Sequence, residues 1–261
     1  MARLCTLASG SKGNSTYISS VGGDIIIDAG ISYKAFKSAL ECAGGDVSKL
    51  KAIAITHTHT DHISGLKTFL KNVKIPLIAS EATLTYLSDN SILLPDTQTI
   101  IADNGASIGD LHIDFFKTSH DAEGSGGYVV NFANGTSAAV CTDLGVMTDD
   151  IRRKLYGCNA VLIESNHDLN MLQKGPYPAH LKLRILSNEG HLSNNACASE
   201  LPNLLKRGTT RIVLGHISEE NNTHLLARQT AKTMLSQIGA VDGADYILET
   251  AKQKTVGVTV F

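Results

Sequence analysis

The sequence predicts a four-layer α/β/β/α sandwich, in which two packed β-sheets carry helices on their outer faces. Three observations carry that expectation. Short apolar runs bounded by Gly, Asn and Asp recur from one end of the chain to the other. Strands dominate each half and helical patterns follow them, which favours two packed sheets over one doubly wound sheet. No fixed-period repeat, Pro-rich linker, low-complexity tract or long charge run interrupts the 261 residues, so one domain covering 1–261 is expected.

Composition narrows the class. With 43% hydrophobic, 18% charged and 5% aromatic residues, the chain can bury a sizeable core and is neither disordered, collagen-like nor coiled-coil. The 23 Lys+Arg against 25 Asp+Glu, net charge -2, exclude coating of nucleic acid through bulk positive charge. A local basic groove or a metal-centred site that grips phosphate stays open. The five cysteines, Cys5, Cys42, Cys141, Cys158 and Cys197, are scattered and form no C-x-x-C pair. Reduced thiols in a cytoplasmic protein are the simplest reading. The opening apolar run reaches Gly10 too soon for a secretory signal, and no stretch is long enough to span a bilayer.

The elements follow in order. Leu4–Ala8, Tyr17–Ser20 and Asp24–Asp28 read as opening strands, with a hairpin signal at Gly22-Gly23. Ser32 caps a helix to about Ala43, with Ala35, Phe36, Ala39 and Leu40 at helical spacing. Ala52–Thr56 is a buried strand and Ile63–Lys71 a helix, followed by a strand at Leu77–Ala79 and a helix at Glu81–Leu87. Residues 98–101, 107–118, 127–132 and 138–141 read as consecutive strands turned at Asn104-Gly105 and Asn134-Gly135. Val161–Glu164 is a strand, with helical patterns at Leu169–Gln173 and Pro178–Leu186. A helix opens near Ser193 and is expected to kink or stop at Pro202. Arg211–Leu214, a helix over Asn222–Ile238, and strands at Tyr246–Glu249 and Val256–Phe261 close the chain.

The most informative segment is Thr56-His57-Thr58-His59-Thr60-Asp61-His62-Ile63, between a strand and a helix. On extended chain His57 and His59 point to one side, and Asp61 and His62 fall at the turn into the helix. Imidazole and carboxylate suit Zn²⁺, Mn²⁺ or Fe²⁺. Four such groups within six positions make a metal site the favoured reading over a solvated His-rich loop. His120, Asp143 and His216 each follow a predicted strand, where loops gather at one sheet rim and sites are built. Together these residues suffice for two metals.

The H-x-H-x-D-H segment with His120, Asp143 and His216 in that order resembles the metallo-β-lactamase superfamily, over essentially the whole chain. The resemblance implies the α/β/β/α sandwich and two divalent ions, Zn²⁺ or Mn²⁺ foremost and Fe²⁺ next. It implies that His57, His59 and His120 bind one ion, that Asp61, His62 and His216 bind the other, and that Asp143 bridges them. Asp28 matches the first acidic motif, which orients ligands; a strand-ending Asp in a turn explains it equally well. Hydrolases of this kind use a hydroxide held between two ions.

Three further segments select a branch. Ser9–Ser15 is a small-residue loop in which Ser11 and Asn14 are placed to meet phosphate, or a plain Gly/Ser turn. Glu164-Ser165-Asn166-His167-Asp168 follows a strand; His167 is a candidate substrate contact, and helix capping by Asn166 or Asp168 is the alternative. In Gly190-His191-Leu192-Ser193-Asn194, His191 is a candidate general acid, with Ser193 and Asn194 at a helix start facing phosphate. This order is similar to the phosphodiesterase branch that includes ribonuclease Z. With Leu214–Asn222, the whole set resembles the YycJ/WalJ family. That resemblance implies a bacterial cytoplasmic exonuclease acting on DNA, in preference to RNA, from the 5′ end and linked to repair. Asp61 would then help hold or deprotonate the attacking water and His191 would protonate the leaving oxygen. A thioester or lactone hydrolase of the glyoxalase II type is the alternative. No membrane association and no obligate protein partner are expected. Lys12, Lys174, His180, Lys182, Arg184 and Lys206-Arg207 suggest a modest basic rim, or simply solvated helix faces.

Overall fold

Two seven-stranded sheets lie face to face in the computed structural model, which describes residues 1–261. The first half of the chain supplies β1 (Arg3–Ala8), β2 (Ser15–Ser20), β3 (Gly23–Ile27), β4 (Leu50–Ala54), β5 (Leu77–Ala79) and β6 (Thr99–Ile101). The second supplies β7 (Ala106–Ile108), β8 (Leu111–Lys117), β9 (Gly126–Phe132), β10 (Ser137–Cys141), β11 (Ala160–Glu164), β12 (Arg211–Gly215), β13 (Ile247–Thr250) and β14 (Gly257–Val260). The first sheet runs β14-β1-β2-β3-β4-β5-β6 and the second β13-β12-β11-β10-β9-β8-β7. β14 thus crosses back to close the edge of the first sheet.

Helices cover both outer faces. They are α1 (Tyr33–Cys42), α2 (Thr60–Ile63), α3 (Leu66–Asn72), α4 (Glu81–Asp89), α5 (Asp149–Leu155), α6 (Leu169–Lys174), α7 (Ala179–Leu186), α8 (Asn194–Lys206) and α9 (His224–Ser236). Ser32, Ser80, Thr148, Asp168, Ser193 and Thr223 each cap a helix by accepting from the amide three residues on. No helix is long and apolar enough to cross a membrane.

Side-chain alternation explains the layers. Ile25 and Ile27 of β3 enter the core between the sheets with Leu4, Ile18, Ile113, Tyr128 and Leu162, while Ile26 between them faces Phe36, Leu40, Leu66 and Phe69 of α1 and α3. On the second sheet Val161 and Ile163 face Ile151, Leu155, Leu201, Leu204 and Ala227 of α5, α8 and α9. A strand buried on both faces has no polar side, which is why these runs read as continuous Ile and Val.

The direction of the strands builds the rim. β3 and β4 are parallel, as are β10, β11 and β12, so Ile27, Ala54, Cys141, Glu164 and Gly215 all deliver the chain to the same edge. β8 and β10 are each antiparallel to β9, so β8 also ends there, just before His120. Backbone hydrogen bonds tie three rim loops together: Asn14 N–H to Asp61 O at 2.7 Å, Gly30 N–H to Asn14 O at 2.9 Å, and Ala29 N–H to His62 O at 2.9 Å. Gly30 sits at the crossing, where a Cβ would lie 1.7 Å from Asp61 O.

Four local expectations change. The helix over 63–71 is two pieces, α2 and α3, because Gly65 turns its amide to Ala29 O at 2.8 Å and a Cβ there would lie 1.9 Å from Ile31 O. Residues 107–118 form a hairpin, β7 and β8, turning at Gly109 with φ 56. α5 was not expected, although its Thr148 cap, acidic first turn and basic last turn are present in the sequence. α8 runs on through Pro202 to Lys206, since burial of Leu201 and Leu204 against the second sheet outweighs the one lost helix bond.

Two outcomes test these points. Pro202→Ala restores a donor for the helix and is expected to stabilise the protein by about 1–2 kcal/mol, less than the full helix-interior penalty because the unfolded chain also gains freedom. Gly30→Ala must displace the Asp61 backbone and is expected to cost about 3 kcal/mol or more. Urea unfolding midpoints check both; a Gly30→Ala midpoint equal to wild type would contradict the loop crossing.

Candidate metal centre

The rim side chains are turned inward by an unusual backbone. Only four non-glycine residues have positive φ, and three of them end strands here: Asp28 (φ 65), Asp143 (φ 59) and His216 (φ 51). For an L-residue this region costs about 1–2 kcal/mol, and such residues concentrate at sites where surrounding contacts hold them.

Seven imidazole and carboxylate groups converge at this rim. His57, His59 and His120 present ligand atoms within 4.8 Å of one another, as do Asp61, His62 and His216, and as do His57, His62 and Asp143. His59 Nδ1 and His120 Nε2 are 3.1 Å apart. His62 Nε2 lies 3.2 Å from Asp143 Oδ2 and 3.6 Å from Asp61 Oδ2, and His216 Nε2 lies 3.5 Å from Asp61 Oδ2. Asp143 stands between the two groups, its Oδ1 3.8 Å from His120 Nε2 and 3.5 Å from His216 Nδ1.

These residues fit divalent cations. His57 Nε2 is buried and has no hydrogen-bond partner, and buried Asp143 Oδ2 has only His62 Nε2 beside it, at 3.2 Å; leaving a buried polar atom unmatched costs about 1–3 kcal/mol. A cation supplies a partner for both. The nitrogen and oxygen donors suit Zn²⁺, Mn²⁺ and Fe²⁺.

Two carboxylates behind the cluster orient it. Asp28 Oδ1 accepts from the Thr56 amide at 2.8 Å, and its Oδ2 accepts from the Thr56 hydroxyl at 2.9 Å and lies 2.8 Å from His62 Nδ1. Glu164 does the equivalent for the second sheet. Its Oε1 lies 2.8 Å from His216 Nδ1 and 2.9 Å from His191 Nδ1, and its Oε2 accepts from the Leu144 and Leu192 amides at 3.2 and 3.0 Å. His120 Nδ1 lies 3.1 Å from Gly190 O. Each contact fixes a ring and directs its other nitrogen inward.

Charge is arranged accordingly. Burial, reinforced by His62, holds His57 well below the usual imidazole range. Burial also opposes charge on His62, but Asp28 and Asp143 outweigh it and push that ring up to about 10. For His216 burial is again overcome, by Asp143, Asp61 and Glu164. Burial would raise Asp143, yet the His216, His62 and His57 charges hold it well below the carboxylate range. Glu164 is lowered to about 2, burial being outweighed by His191 and His216.

Several expected substrate contacts have other neighbours. Asn14 is buried; its Nδ2 reaches Gly10 O, Asp61 Oδ2 at 3.1 Å and His62 Nε2 at 3.0 Å, so it steadies the Asp61 side of the cluster. Asn194 is buried and bonded to Ser165 Oγ and Asn222. His167 is also buried, with both ring nitrogens unpaired, which removes it from the surface. Ser193 accepts from the Ala196 amide as helix cap, and Ser11 is exposed on the turn between β1 and β2. The basic rim is partly neutralised: Lys12 pairs with Glu219, Arg184 with Asp121, and Lys182 Nζ donates to Gln173 O and Gly175 O. In the sequence Glu164 stands out only as the start of the segment Glu164–Asp168, with no role of its own. Its signal was a lone acid closing the apolar strand Ala-Val-Leu-Ile-Glu, the same pattern that marked Asp28.

Comparison with known proteins agrees with this construction. Residues 24–217 match the family model of the beta-lactamase superfamily domain. The chain is 34% identical over 235 residues to exodeoxyribonuclease YycJ of Bacillus anthracis, covering 89% of each chain. It is 36% identical over 244 residues to exodeoxyribonuclease WalJ of Streptococcus pneumoniae serotype 2, covering 92% of this chain and 90% of the relative. In fold it is similar to the metallo-beta-lactamase fold protein YhfI of Bacillus subtilis, with TM-score 0.72, 15% identity and 99% of each chain covered. The four layers, the rim cluster and these likenesses converge: the chain belongs to the metallo-β-lactamase superfamily, in the family of YycJ and WalJ.

Proposed function

We propose that this protein is a metal-dependent phosphodiester hydrolase, a 5′-to-3′ exonuclease acting on DNA in the cytoplasm and linked to repair. The observation that carries the proposal is the rim cluster with its unmatched buried His57 Nε2, next to a His191–Glu164 pair, in a chain more than a third identical to exodeoxyribonucleases over about nine-tenths of its length.

In this reading His57, His59 and His120 would hold one cation, Asp61, His62 and His216 the other, and Asp143 both. Zn²⁺ or Mn²⁺ is proposed, with Fe²⁺ suiting the same donors. When bound, two such ions supply Lewis-acid activation of water and neutralise charge on the phosphate. The remaining work falls to the chain. Asp28 and Glu164 keep the imidazoles in the ligating tautomer and orientation. Asp61, whose side chain is 22% exposed and held by Asn14, accepts a hydrogen bond from the attacking water and aligns it. His191 Nδ1 is occupied by Glu164, which leaves Nε2 to face substrate. In its protonated form His191 donates from Nε2 to the leaving oxygen, while the Glu164 carboxylate stabilises the imidazolium. Ser193 and Ser11 are proposed as hydroxyl contacts at the margin of the substrate.

The purified protein with Mn²⁺ is expected to degrade a 5′-phosphorylated DNA duplex, and His59→Ala to abolish this; absence of nuclease activity with each of Mn²⁺, Zn²⁺ and Mg²⁺ overturns the reading. Elemental analysis is expected to find two metal ions per chain in wild type and fewer in Asp143→Asn. His191→Ala is expected to lower kcat by about 10²–10⁴-fold with metal content unchanged. Glu164→Gln is expected to lower it by about 10–100-fold.

A further inference from the structure

Beside the metal centre a cleft of about 380 Å³ opens against His59. Thr58 and Thr60 form one wall, Asp121 and Glu123 a second, and α4 the third. On α4, Ala82 and Tyr86 stand four residues apart and so share a face. The small Ala82 leaves the Tyr86 ring, 45% exposed, as the dominant apolar surface of the cleft. The walls are anchored. Ser80 Oγ donates to Gly124 O at 2.8 Å, fastening the loop after His120 to the start of α4, and Arg184 donates to Asp121.

The chemistry of this cleft selects its occupant. Glu123 offers a carboxylate that repels a phosphate but accepts hydrogen bonds from amino groups, while the Asp121 carboxylate is already paired with Arg184. The phenol ring and the Ala82 methyl offer a flat apolar face. A planar, uncharged ring that carries N–H donors satisfies both. His59 belongs at once to this cleft and to the metal cluster, so an occupant lies directly next to the group being hydrolysed.

We propose that the cleft is a nucleobase subsite, receiving the base of one of the two nucleotides that flank the scissile phosphate, with Tyr86 as the residue it stacks on. The inference rests on the phosphodiesterase reading above. It is tested with Mn²⁺-loaded full-length enzyme and three 5′-phosphorylated oligonucleotides, each annealed into a DNA duplex. One is complete, one carries an abasic residue at the first nucleotide, and one carries it at the second. Tyr86→Ala is expected to raise KM on the complete oligonucleotide about ten-fold, as loss of one base–aromatic stack does. Tyr86→Phe, which keeps the ring, is expected to restore most of the affinity. The Tyr86→Ala penalty is expected to vanish on one of the two abasic substrates and persist on the other. An equal penalty on all three substrates, or Tyr86→Phe as damaging as Tyr86→Ala, overturns the subsite while leaving the hydrolase reading standing. Failure of the wild type to degrade any of the three overturns the hydrolase reading and the subsite with it.

Discussion

Asp28 and Glu164 are carboxylates with almost no contact with water, and each is gripped by a neighbouring backbone amide and by imidazole. The geometry of the rim depends on them. A buried carboxylate is tolerated only where its oxygens are matched by donors. Each therefore dictates where its partner loops lie. Asp28 draws the chain after β4 against the end of β3. Glu164 draws the loops after β10 and β12, and the start of α8, onto the end of β11. One acid per sheet thus organises half of the cluster.

The cluster itself is a concentration of charge in a poorly solvated place. Asp28, Asp61, Asp143 and Glu164 raise the rings of His62 and His216, and those rings in turn lower Asp143. Binding of a divalent ion requires neutral imidazole, so the same groups link cation binding to proton release. The left-handed backbone at Asp28, Asp143 and His216 is a cost that packing elsewhere must offset. Three continuous hydrophobic layers provide that reserve, and they keep the two sheets, hence the two halves of the site, at a set distance.

Much of this was legible in the residues. The four-layer arrangement follows from strands with no polar face, such as Ile25-Ile26-Ile27 and Ala-Val-Leu-Ile. The H-x-H-x-D-H segment and the strand-end His120, Asp143 and His216 stood out because polar groups abruptly end apolar runs. What failed had physical causes. Gly65 broke a helix because two backbones meet there, and Pro202 did not, because Leu201 and Leu204 hold the helix to the sheet. His167 and Asn194 lie in two polar segments that fold inward: both are buried, and Asn194 joins Ser165 and Asn222 in a hydrogen-bonded network.

By itself, then, the sequence determined which imidazole and carboxylate groups stand at strand ends and the edge at which they emerge, because residue type and strand ends are local properties. Tertiary structure alone decided which of them face each other, and that Glu164 serves two histidines 27 and 52 residues away. It also decided that Asn14 holds Asp61 and His62 and that Tyr86 comes to lie beside His59. Such pairings are made by the parallel course of strands in two separate sheets and by the packing that sets the sheets against each other. Residue spacing along the chain carries no record of either.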